Sequence, residues 1–76
     1  MTTDLDLRGL EPPEPMMRVL ETLGAASLGT QIRARLDRRP MFLIEELGRR
    51  GQTHQCNENP EGGWLLEIQV SAEPAP

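Results

Sequence analysis

His54 and Cys56 are the two residues best suited by type to do chemistry, and they stand two positions apart in Gln52-Thr53-His54-Gln55-Cys56. On a strand that spacing puts both side chains on one face, where an imidazole can help ionise a thiol or the pair can begin a metal site. The chain holds one Cys and one His in all. Nothing supplies a third, orienting group, and a zinc centre wants more nitrogen and sulfur ligands than this pair offers. The expectation is that Cys56 packs as a small half-buried hydrophobe, with a reactive thiol as the alternative. No metal, no cofactor and no catalytic residue is assigned.

Arginine is the other reactive type. Six of the eight cations lie between Gln31 and Arg50 and all are Arg, at 33, 35, 38, 39, 49 and 50. Against Asp37, Glu45 and Glu46 they leave that stretch at +3, while the remainder is at −7, so a chain of net charge −4 carries a dipole. The arginines could form an exposed strip for an acidic protein surface, a nucleotide or RNA, with Arg38 and Arg39 at a helix start as the anion site. The plainer expectation is a solvated face with local ion pairs. RNA is disfavoured by the negative net charge and by the expectation that Trp64 and Phe42 are spent in the core. Met16, Met17 and Met41 are likewise expected to pack in the core. Asp4 and Asp6, on one strand face beside Arg8, fit a solvated edge better than a pair of catalytic carboxylates.

The elements that must position these residues follow from periodicity. Asp4 to Arg8 alternates as a strand and Gly9 closes it; Met16, Leu20 and Leu23, with Met17 and Val19, give an amphipathic helix from Pro13 that fades at Gly24. Gln31 to Asp37 alternates most cleanly, with Ile32, Ala34 and Leu36 on one face. Pro40 opens a second helix through Met41, Ile44 and Leu47, ending near Arg49-Arg50-Gly51. Gln52 to Glu58 and Trp64 to Val70 read as a hairpin across Asn59-Pro60-Glu61-Gly62-Gly63. The order βαβαββ predicts an α+β fold: a two-layer sandwich in which a mixed four-stranded sheet carries both helices on one face. Residues 1–70 form one domain and 71–76 a disordered tail. A start without basic and apolar signal segments, and the lack of any membrane-length apolar run, lead to the expectation of a cytoplasmic protein without a membrane partner; a monomer without a nucleic-acid partner is expected as well.

One junction does not follow from folding alone. In "LEPPEP", residues 10 to 15, three of four consecutive positions from Pro12 are proline, just where a helix begins. The longer stretch "LDLRGLEPPEPMMRVLETL", residues 5 to 23, resembles the start of the TusA/SirA-like proteins, small sulfur carriers of βαβαββ fold. Their signature is Gly-Leu, one variable residue, then Cys-Pro-x-Pro; Gly9-Leu10 and Pro13-Glu14-Pro15 match it, and Pro12 stands where the persulfide-bearing cysteine would be. The Arg39-Pro40 step and Trp64 in the last strand are similar to an uncharacterised branch of that superfamily lacking the cysteine.

The resemblance implies the fold over residues 4–70 and a surface that docks onto partner proteins, here Gly9, Leu10, Glu11, Pro12, Pro13, Glu14, Pro15 and Arg18. It does not imply persulfide chemistry at position 12. Pro12 has neither thiol nor N–H, and Glu11 and Glu14 repel an anion. The expected role is therefore a non-enzymatic interaction module, with a Cys56 sulfur carrier and a small-anion or nucleotide binder as alternatives.

Overall fold

In the computed structural model, which describes residues 1–72, the chain runs β1 (Thr2–Asp6), α1 (Glu14–Ala25), β2 (Gln31–Leu36), α2 (Met41–Arg49), β3 (Thr53–Glu58) and β4 (Trp64–Gln69). The strands form a single sheet in the order β1-β2-β4-β3. β1 and β2 are parallel, with Leu5 opposite Ala34, while β4 lies antiparallel to both β2 and β3. This is the expected βαβαββ arrangement with a mixed sheet.

Strength of alternation tracks position in the sheet. The two inner strands supply Ile32, Ala34 and Leu36 from β2 and Leu66 and Ile68 from β4, all buried on the face that receives the helices. The edge strands β1 and β3 carry polar side chains outward and only half-buried ones inward, as befits strands with one partner. Each helix contributes a pair four residues apart, Val19 and Leu23 from α1 and Leu43 and Leu47 from α2, so that both point from one side into a common core with Leu7 and Val70. The opposite face of the sheet is open. There Asp4 pairs across to Arg33 and Arg33 to Glu67, and Asp6 pairs across to Arg35.

The C-terminal end of β4 is fastened by a buried amide. Gln52 accepts hydrogen bonds from the backbone N–H groups of Ser71 and Ala72, at 2.9 and 3.2 Å, and donates to the Ala72 carbonyl at 2.8 Å. The tail expected from Ser71 thus starts with two residues tied to the domain; its residues 73–76 lie outside those described. In the hairpin loop Gly63 (φ +74) passes so close to the end of β2 that a Cβ there would sit 2.5 Å from the Leu36 carbonyl oxygen. Strand β1 begins and ends two residues earlier than the alternation of Asp4 to Arg8 indicates. Leu7 still donates its N–H to the Arg35 carbonyl, but Arg8 and Gly9 have already turned.

Three apolar positions depart from the expected core. Phe42 is 78% exposed, Met41 57% and Met17 54%. The face of α2 that turns inward is fixed by Leu43 and Leu47, which places Phe42 on the stripe of Glu46 and Met41 on the stripe of Glu45. Met17 shares its stripe with Glu21 in the same way, while Val19 and Leu23 take the inner face of α1.

Candidate functional site

Because β1 and β2 are parallel, both end at the same edge of the sheet and both hand over there to a helix, through residues 7–13 and 37–40. The two connections are joined directly: the Gly9 N–H donates to Asp37 Oδ2 at 2.6 Å across 28 positions of sequence. Gly9 adopts φ +82, a conformation that glycine reaches without strain, and this turns its N–H toward the second loop.

Between the loops and the first turns of the two helices lies an open groove of about 510 Å³. Its floor is formed by the buried Leu7, Leu36 and Leu43, with Leu10 and Met16 half-buried beside them. Pro12, Pro13 and Pro15 form one wall and Pro40, Met41 and Phe42 the other. The peptide bond between Pro12 and Pro13 is cis. Of the residues singled out around the Pro-rich junction, Gly9, Leu10, Glu11, Pro12, Pro13 and Pro15 line the groove. Glu14 and Arg18 do not; they face one another along α1 at 3.8 Å.

The groove offers little to an isolated anion. Three of the residues entering α1 are prolines without an N–H, and the Glu14 N–H is already given to the Glu11 carbonyl at 2.9 Å. At α2 the capping residue is Pro40, and the Met41 N–H donates to the Arg39 carbonyl at 3.0 Å. Charge is present on the rims instead. Glu11 stands on the α1 side, and Arg38 and Arg39 on the α2 side, where neither arginine forms an ion pair among the described residues.

The arginines do not form one strip. Arg33 and Arg35 lie on the open face of the sheet, Arg33 reaching Glu67 at 3.9 Å, while Arg38 and Arg39 flank the groove. Arg49 and Arg50 close on Glu46 at 3.0 and 2.7 Å. The hydrogen bond from Arg50, with the charge of Arg49 beside it, holds the Glu46 carboxyl below its usual range. On the sheet face Asp6 accepts from Arg8 Nε and Nη2 at 2.8 and 2.7 Å, and these bonds bring its carboxyl down to about 2.

Cys56 is half-buried on β3, opposite Leu66 of β4 and packed against the core. Burial pushes its thiol up, opposed by the weaker influence of the Arg39 charge. His54 is also half-buried, and its Nδ1 lies 2.9 Å from the Gln52 carbonyl. No group of three His, Cys, Asp or Glu side chains among the described residues is arranged to hold a metal ion. Among those residues, no helix is long and apolar enough to cross a membrane.

Phe42 and Met41 are the groove residues that a reading of the sequence assigns to the core. The signal that corrects it is local: each is followed four residues later by a glutamate, whereas Leu43 is followed by Leu47. The Gly9–Asp37 bond has no such signal, since it joins residues from two different connections.

A search of the curated proteins finds no match. The sequence profile of one family, described as an uncharacterized conserved protein (DUF2249), matches residues 4–70. That span takes in every strand and helix from the middle of β1 to the end of β4, and with it both loops that frame the groove. The chain therefore belongs to the DUF2249 family of uncharacterized conserved proteins.

Proposed function

We propose that this protein is a non-enzymatic interaction module, related to the TusA-like carriers but without their acceptor thiol, and that it docks a protein partner in the groove at the ends of β1 and β2. The observation that carries this reading is the exposure of Phe42, Met41 and the proline wall around an apolar floor. An aromatic ring left 78% exposed beside a groove is unusual on a small domain that needs its apolar side chains inside. Aromatic, Met and Arg side chains together make up the composition typical of the centre of a protein interface.

The Cys56 carrier has less support. A transferable sulfur needs a thiolate, and burial on a strand favours the thiol. A nucleotide or small-anion site at Arg38 and Arg39 keeps its two cations but loses one first-turn backbone donor, because the Met41 N–H is already given to the Arg39 carbonyl.

The reading is tested by immobilising the chain and capturing partners from an extract of its source cells. Proteins retained by the wild type should be retained by Arg33→Ser, on the open face of the sheet, and lost from Phe42→Ser. Equal retention by all three forms contradicts the proposal.

A further inference from the structure

We infer that the groove is also a self-docking surface, in which a second copy of this chain presents the same groove face to face. The inference deepens the docking reading above and rests on it. Three features point to this occupant. The groove lining carries Glu11 and Asp37 against Arg38 and Arg39, so this face is neutral although the whole chain stands at −4. At such a face two acidic molecules can meet without the repulsion that their net charges impose elsewhere.

The second feature is the placement of those charges. Glu11 lies on the α1 rim, and Arg38 and Arg39, which form no ion pair among the described residues, on the α2 rim. A two-fold axis running along the groove exchanges the rims between copies, so Glu11 of each meets Arg38 and Arg39 of the other. An axis across the groove would set like against like. The contact is thus self-complementary in one orientation only, as an isologous dimer requires. The third feature is Phe42, which projects from the α2 rim and in this arrangement packs on the Leu10, Pro12 and Pro13 side of the opposing copy.

The test combines sedimentation with an amide NMR dilution series of the full chain, from micromolar to millimolar. The expected result is a monomer–dimer equilibrium in which the amides of Gly9, Leu10, Met41 and Phe42 shift with concentration. Phe42→Ser, an exposed site whose change leaves the core intact, should weaken the dimer by at least about tenfold.

Charge exchange supplies the decisive arm. Glu11→Arg alone, and Arg38→Glu with Arg39→Glu, should each remain monomeric, and mixing the two variants should produce a one-to-one heterodimer, because both seams are then attractive. A wild type that stays monomeric at millimolar concentration overturns the inference. So does a dimer that survives Phe42→Ser, or one whose shifts fall on the open face of the sheet. A monomeric wild type whose Phe42→Ser variant still loses captured proteins leaves the docking reading standing and removes only the second copy; retention unaffected by Phe42→Ser removes the docking reading itself.

Discussion

Asp6 and Arg8 illustrate how far a single pair can move a titration without burial. The Arg8 side-chain and backbone hydrogen bonds bring the Asp6 carboxyl from 3.8 to about 2. The sign follows from the depressed value: the interaction is complete above the ordinary carboxyl range and is lost as pH falls through about 2. A carboxyl-carbon NMR titration should show that midpoint in the wild type and a return toward 3.8 in Arg8→Gln. An unshifted Asp6 would mean that the pair does not persist in solution. Cys56 moves the other way. Its thiol, raised by burial, should alkylate with iodoacetamide at neutral pH more slowly than in the urea-unfolded chain, and a faster reaction would revive it as a nucleophile. The sequence conveys the residue types of the site well and their exposure poorly. Pro12, Pro13 and Leu10 stand out by spacing, but Phe42 shows its outward direction only through its stripe partner Glu46.

Strands and helices were largely legible because each has a clean period. Ile32, Ala34 and Leu36 alternate without a break, and Trp64 to Gln69 carries enough apolar residues to sit in the sheet interior. The order of strands and the closeness of loops were not legible in the same way, since they depend on contacts between distant segments. Gly63 is such a case: nothing local says that β2 ends against it. Gly63→Ala, at φ +74 and facing the Leu36 carbonyl, should cost roughly 1–3 kcal/mol in urea unfolding. Gly24→Ala, in open space within α1, should instead stabilise by up to roughly 1 kcal/mol. Asp37→Ala tests the strap between the two loops. It removes the acceptor of the Gly9 N–H, so that amide should exchange with solvent markedly faster while those of Leu23 and Leu47 hold.

At the scale of the whole molecule, one core serves everything. A chain of 76 residues has on the order of 4–11 kcal/mol of stability, and truncating a fully buried leucine such as Leu47 to alanine costs about 2–5 kcal/mol. Against that margin, apolar side chains left outside the core invite explanation, and a groove framed by Met41, Phe42 and four prolines at the meeting point of two parallel strands gives one. Partner docking is proposed for this groove rather than for the open face of the sheet or for β3. The most direct measurement is an amide NMR titration of the labelled chain with a protein recovered by capture on it. The shifts should concentrate in residues 8–18 and 38–43. Shifts confined to β3 around Cys56, or to the open face of the sheet around Arg33 and Arg35, would contradict it.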